Sequence, residues 1–196
     1  MDFADVLRKR RMVRHFTAEP VAPEAIERIL ATAMRAPSAG FTQGQSFIVV
    51  TEAATKQAIA RLCDEQDYVT SGFDPFISEA PVLLIPCADE AAYHQRYQEA
   101  DKLDEQGQEI VWPVPYWIMD IGCSVMLILL GVVTEDLAAG FAGAHDLDGL
   151  RTLLGVPATV TPVGVIPVGH PAPDTRSPSL KRGRKAPDEY IHRERW

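Results

Sequence analysis

The sequence contains no asparagine, so it offers no N-glycosylation acceptor. Its three cysteines, Cys63, Cys87 and Cys123, are too few and too scattered for a disulfide framework or for paired metal ligands. A reducing compartment is the default, and Asp2 and Asp5 stand where a secretory leader carries its basic end, so a cytoplasmic protein is expected. Basic residues are also scarce: 19 Lys and Arg against 27 Asp and Glu give a formal net charge of -8. That balance argues against a general nucleic-acid or anionic-membrane binder and requires any anion site to be local. The longest uncharged apolar run, Ile121 to Val133, is shorter than the roughly 20 residues of a membrane span and reads as a buried core helix. No GxxxxGK(S/T), HExxH, CxxC or GxSxG pattern occurs, which leaves phosphate-loop enzymes, zinc proteases, thioredoxin-like centres and common serine hydrolases without support. His15, His94, His145, His170 and His192 have no second ligand at metal spacing, so no metal is expected.

What is present suits a single domain: 196 residues, 46% of them hydrophobic, suffice for one sizeable core. Asp2 caps a predicted helix over Phe3 to Arg11. Pro23 opens a second helix, whose stripe Ile26, Ile29, Leu30, Ala33 and Met34 ends at Pro37-Ser38-Ala39-Gly40. Phe47 to Val50 predicts a strand buried on both faces, Ala53 to Cys63 a helix, and Val82 to Ile85 a second strand. Tyr116 to Val133 predicts a central helix, apolar all round, with small residues Gly122, Cys123 and Ser124 for close packing. Ala138 to Phe141 and Val163 to Val168 are strand candidates, flanking a helix from Asp146 to Leu154 closed by Gly155. The mixture predicts an α+β fold. Between Asp64 and Glu109 stand 12 acids and only Arg96 and Lys102 as strong bases, so residues from about 64 to 115 read as an exposed, lid-like excursion. Its acidic pairs, such as Glu99 with Asp101, read as solvated surface. The tail from Pro171 is polar, yet it ends in Tyr190, Ile191 and Trp196, which predicts that it docks somewhere.

Ten of the 19 basic residues fall in two short runs, Arg8 to Arg14 and Arg176 to Lys185. Folded together, two such runs fit a phosphate or carboxylate, because guanidinium forks bind paired oxygens and stay charged; solvated surface gives the same pattern. The turn Pro37 to Gly44 has small residues that leave backbone groups accessible, and Gln43 can donate and accept together, as a ring with amide edges requires; an ordinary loop uses the same residues. Leu137 to Gly143 offers a backbone surface against which something flat could lie, unless its glycines only relieve packing.

The order of pieces, Arg10-Arg11-Met12-Val13-Arg14-His15-Phe16, Pro20-Val21, Ala36-Pro37-Ser38 with Gln43, Phe47 to Val50, Asp120-Ile121-Gly122, Leu153 to Pro157, Pro162-Val163-Gly164, Val168 to Pro171 and Arg184 to Pro187, resembles the flavin-dependent nitroreductase family over nearly the whole chain. The resemblance implies a central mixed or antiparallel sheet flanked by helices and an intertwined homodimer with FMN in each of two interface sites. By position, Arg10, Arg11, Met12 and Arg14 match the family's N-terminal cofactor-binding segment, its arginines on the phosphate side, and Arg182 and Arg184 match a C-terminal basic pair. Pro37, Ser38, Ala39 and Gln43 match the turn that meets the flavin ring, and Ala139, Gly140 and Phe141 the backbone strip near its reactive nitrogen. The chain departs from the family at Met12, where Ser is frequent, at Phe41, where Asn is common, and at Gln45, where an aromatic residue often stands.

The resemblance further implies ping-pong transfer of hydride from NADH or NADPH through FMN to a small oxidised substrate, such as a nitroaromatic or a quinone. Two other flavin chemistries, reductive dehalogenation and flavin cleavage, share the fold, with Tyr93, Tyr97 and Lys102 as lid residues that could clamp a zwitterionic or aromatic substrate. Tyrosines on any exposed helix would look the same. A flavin-binding protein without turnover, acting as a store, is the reading from another class.

Overall fold

The computed structural model describes residues 1–196. In chain order the elements are α1 (Phe3–Lys9), α2 (Pro23–Ala33), β1 (Gln45–Val50), α3 (Ala53–Leu62), α4 (Glu65–Thr70), β2 (Val82–Asp89), α5 (Glu90–Tyr97), α6 (Tyr116–Thr134), β3 (Ala138–Ala139), α7 (Leu147–Leu154), β4 (Val160–Pro162) and β5 (Ile166–Gly169). The Asp2 carboxylate accepts from the Asp5 amide at 2.8 Å and starts α1, which stops at Lys9 rather than Arg11. Residues 10–16 are thereby left extended. Pro23 opens α2 at a position whose missing N–H has no intrahelical partner anyway, and Gly155 closes α7 with φ 64.

The strands form one antiparallel sheet in the order β1-β2-β5-β3, with β4 also paired to β2. β2 is the centre and is longer than the expected Val82 to Ile85. Its side chains alternate between two cores. Leu83, Ile85 and Cys87 face Ile59, Phe76, Ile77 and Leu150 on one side. Val82 and Leu84 face Ile26, Ile29, Ile128 and Val132 on the other. Helices therefore cover both faces, and the α+β expectation holds.

Several expectations are corrected. The strand expected over Val163 to Val168 begins only at Ile166, as β5, and a separate strand, β4, precedes the expected span. Pro86, in the middle of β2, has no N–H for a ladder bond. β5 ends at Ile166 opposite Leu84, β4 takes up at Pro162 opposite Cys87, and between them Val165 turns to pair with Ala142 instead. The strand expected over Ala138 to Phe141 accordingly shortens to Ala138–Ala139. β1 is an edge strand rather than one buried on both faces: it pairs only with β2, and Val49 is exposed. An apolar run shows that side chains seek cover, not how many neighbouring strands supply it.

α6 is not buried all round either. Asp120, Ile121, Ser124, Ile128 and Val132 are buried, while Ile118, Met119, Cys123 and Met126 on its other side are exposed. The helix is long and apolar enough to cross a membrane, but nearly half of it is built into the core. Finally, residues 64–115 are not one excursion. They include β2 and the buried Phe76, Ile77 and Ala80, and even the acid Glu65 is buried, accepting from the amides of Ile77 and Ser78 at 2.5 and 3.0 Å. The exposed part is α5 with the stretch from Gln98 to Pro115, where Tyr93 alone is buried. The tail carries no hydrogen bond from residues 175–196 to the rest of the chain, and Tyr190, Ile191 and Trp196 are exposed. The expected docking does not occur within the protomer.

Candidate functional site

The predicted residues gather into two clusters. In the first, the extended segment after α1 runs beside β3: the Val13 amide donates to the Ala139 carbonyl at 3.0 Å, and Met12 bridges Ala139. A Cβ on Gly140 would lie 2.6 Å from the Val13 carbonyl oxygen, so this close approach requires glycine. The start of the tail closes the other side, with the Arg14 amide donating to Asp174 at 3.0 Å and the Ala172 amide to the His15 carbonyl at 3.0 Å. The Arg14 guanidinium lies over the rings of Phe73 and Phe76, at 5.4 and 5.9 Å from their centres.

Five of the 19 basic side chains have a carboxylate partner, and those of this cluster, like Arg35 and Arg61 elsewhere, are not among them. Arg8 is paired with Asp5, Arg28 with Glu135 and Arg96 with Asp101. The guanidiniums of Arg10, Arg11 and Arg14 have no carboxylate partner, although the chain holds 27 acids. Alternation along the extended segment separates them. Arg11 turns with Lys9 into a cleft of about 200 Å³ over Val132, Asp136 and Leu137, leaving Arg10, Met12 and Arg14 on the opposite side. The Phe141 amide also has no partner. Arg182 and Arg184 are exposed and make neither hydrogen bond nor ion pair, so within one chain nothing ties the two basic runs together.

The second cluster is the turn after α2. Gly40, Phe41 and Gln43 have φ of 62, 55 and 56, a left-handed path that costs a non-glycine residue about 1–3 kcal/mol. Local bonds enforce it: Phe41 N donates to Ser38 O at 2.9 Å, Thr42 Oγ1 to Ala39 O at 2.6 Å and Gln43 N to Ser38 Oγ at 2.9 Å. From α6, the buried Asp120 carboxylate accepts through one oxygen from the Ala39 amide at 2.8 Å and from the Tyr93 hydroxyl at 2.7 Å. Burial first, and then that bond, pushes the Tyr93 phenol above its usual pKa. α5 seals the outside. Tyr93 and Tyr97, four residues apart and so on one face, press on Gly44 and Gly40, where a Cβ would come within 2.6 and 2.8 Å of their rings. Arg96 Nε donates to the Gly40 carbonyl at 3.0 Å while its two terminal nitrogens hold Asp101, each at 2.7 Å.

Tyr93 is thus 1% exposed and fully engaged, so it is removed from the expected substrate clamp. Tyr97 is half-buried against Trp112, with ring centres 4.4 Å apart, and Lys102 Nζ stands 5.8 Å from the Tyr97 ring. The clamp is reduced to these two. His94 carries the rest of the lid: its Nδ1 meets Glu109 at 2.6 Å, and Glu109 also accepts from Trp112 Nε1 at 2.6 Å. The Glu109 bond raises the His94 pKa, and the Trp112 bond, ahead of His94, lowers that of Glu109.

No hydrogen bond joins the two clusters. Arg11 shares its cleft with Val132 near the end of α6, whereas Asp120 sits near its start, and 12 residues at a 1.5 Å rise set the two about 18 Å apart. Asp120 and Arg96 were missed as site residues in the sequence. The signals for Asp120 were a carboxylate inside an otherwise uncharged apolar helix and its place in the family segment Asp120-Ile121-Gly122; Arg96 gave none.

Comparison with known proteins supplies the remaining observation: a profile described as the Nitroreductase family matches residues 7–170. The chain belongs to that family. It is 28% identical over 200 residues to a Methanothermobacter thermautotrophicus protein provisionally named NADH dehydrogenase/NAD(P)H nitroreductase, covering 100% of this chain and 88% of that one. It is 26% identical to human iodotyrosine deiodinase 1 over 202 residues, which are 92% of this chain and 65% of the relative, just under two thirds of its length. Among solved structures, B. megaterium NfrA1 superposes with a TM-score of 0.78 at 22% identity, covering 98% of this chain and 74% of that one, a likeness of fold. With relatives named for nitroreductase and deiodinase activities, this nitroreductase family member is an oxidoreductase in kind.

Proposed function

We propose that this protein is an FMN-dependent oxidoreductase, taking hydride from NADH or NADPH and delivering it to a small oxidised substrate such as a nitroaromatic or a quinone. The observation that carries this reading is the set of unpartnered guanidiniums beside the tight Ala139–Gly140 backbone, in a family whose relatives are named for NAD(P)H chemistry. The donor set fits the cofactor. Arg10 and Arg14 would hold its phosphate, and the free Phe141 amide and the Gln43 side chain would meet polar edges of its ring. FMN, when bound, supplies the hydride chemistry, exchanging two electrons with reductant and substrate in turn at one face. The chain's own part is to neutralise the phosphate, to present backbone donors to charge developing on the ring, and to keep both visitors on that face.

The reading includes a cytoplasmic homodimer. The strip at Ala139 to Phe141 and the turn at Pro37 to Gln43 both match ring contacts, yet within one chain they pack near opposite ends of α6 and no hydrogen bond joins them. A second copy that supplies its turn to the first copy's strip removes the conflict, and the open face of α6 and the undocked Tyr190, Ile191 and Trp196 supply apolar surface for the contact. Arg182 and Arg184 would reach the phosphate in the same assembly.

The test is direct. The purified protein should be yellow, should bleach with NADH or NADPH under anaerobic conditions, should recolour on adding a quinone, and should sediment as a dimer that survives dilution. A colourless protein that takes up no FMN, or a monomer that keeps it, overturns the corresponding part. Reductive dehalogenation is the second reading, favoured by the deiodinase likeness and by Lys102 beside the Tyr97 ring. Release of iodide from an iodophenol by the reduced protein would select it.

A further inference from the structure

We infer that Phe41 is a specificity-determining residue, its ring forming a stacking surface that favours planar aromatic or quinonoid oxidants over oxidants without a π-face; the inference rests on the flavin reading above. Phe41 is anomalous twice. A bulky residue at φ 55 is a backbone outlier, and strain of this kind persists only where its surroundings fix it. They do so here without using the side chain. The bonds from Phe41, Thr42 and Gln43 back to Ser38 and Ala39, from Ala39 to Asp120 and from Arg96 to Gly40 all hold the backbone, and the ring they present is 76% exposed. The strained conformation therefore gains no burial for the residue that bears it.

Its surroundings sharpen the contrast. Tyr93, Tyr97, Trp112, Tyr116 and Trp117 pair edge to face or tilted among themselves, and Phe41 pairs with none of them. Beside it, Gln43 repeats the pattern: left-handed backbone, amide nitrogen used, side-chain amide without a partner. With the Gln43 side chain assigned to the flavin, the Phe41 ring is left as an isolated flat apolar face, which suits a flat molecule better than it suits a protein surface, which would bring a broad apolar patch. Two other occupants, the flavin ring itself and a second copy of the chain, are separable by measurement.

The experiment compares the FMN-loaded wild type with F41L, which keeps apolar bulk and the strain, F41Y, which keeps the ring, and F41G, which removes both ring and strain. KM and kcat are measured for 2-methyl-1,4-naphthoquinone and for ferricyanide, alongside FMN affinity, dilution stability and Tm. The expected result is a KM ratio of naphthoquinone to ferricyanide that rises roughly 2- to 12-fold in F41L and F41G and stays near wild type in F41Y, the range an aromatic pair is worth. Tm should be no lower in F41G, since glycine accepts the left-handed turn freely. Unchanged ratios in all three variants overturn the inference. So do loss of FMN affinity or of the dimer in F41L and F41G with the ratios unmoved, which reassign the ring to the cofactor or to the partner copy. Failure of the flavin reading shows separately, as a wild type that neither binds FMN nor is bleached.

Discussion

The two clusters at the ends of α6 are built on opposite principles. At the turn, the polar groups that shape the backbone are matched inside the chain: the Asp120 carboxylate with Ala39 and Tyr93, the Ser38 hydroxyl with Gln43, and Arg96 with Gly40 and Asp101. Beside β3, the backbone is equally tight but Arg10, Arg11 and Arg14 are left without counter-ions. A buried network that satisfies itself is scaffold, and its removal costs stability. Arg10 and Arg14, on one side of an extended segment that the close approach at Gly140 fixes in place, are free to meet an anion from outside, and their removal should cost affinity rather than stability.

Four measurements test that division. Asp120→Ala should have the largest effect, because it strips the Tyr93 hydroxyl and the Ala39 amide of one charged acceptor together. A loss of about 3–5 kcal/mol in urea unfolding is expected, with Asp120→Asn, which still offers an oxygen, losing clearly less. A loss under 1 kcal/mol would mean that the turn does not depend on α6. Next, Arg14→Ala should weaken FMN roughly 10- to 150-fold while leaving riboflavin, which has the ring without the phosphate, nearly unaffected and stability little changed. Arg184→Ala should follow it in the same direction through the partner's site. Equal loss of FMN and riboflavin would move these arginines from the phosphate to the ring or to folding.

Gly140→Ala comes third. Its Cβ would meet the Val13 carbonyl, a backbone atom that cannot swing away, so about 1–3 kcal/mol of stability should be lost, with FMN affinity falling as the strip shifts. Proteolytic susceptibility of the lid supplies the smallest effect. The His94 pKa is raised above its ordinary 6.5 in the folded state, so the stabilisation it contributes is complete below that value and is lost as pH rises through the raised one. Glu109 is lowered, so its contribution is present above 4.5 and is lost only at more acidic pH. Cleavage between Gln98 and Val111, corrected for the protease's own pH profile, should rise by no more than a few-fold from pH 6 to 8, since the His94 side chain is 40% exposed and the pair is partly screened. His94→Gln should abolish the dependence.

Much of this molecule is legible one residue at a time. Asp2 before α1, Pro23 at the head of α2, Gly155 after α7 and the apolar run Val82 to Ile85 that begins β2 act through their own dihedrals or through neighbours a turn away, so those elements are set by the sequence alone. The two basic runs and the order of family segments were legible in the same way, and with them the family membership. Other features depend on which distant segments meet. That Asp120 ties Ala39 to Tyr93, that Gly40 and Gly44 are floors for two tyrosines, that β1 lies at an edge and that Pro86 splits β4 from β5 follow from pairings 27 to 81 residues apart or from strand order. Only the tertiary structure decided these, because the energy of a long-range contact is a property of two surfaces brought together and is written in neither stretch of sequence alone.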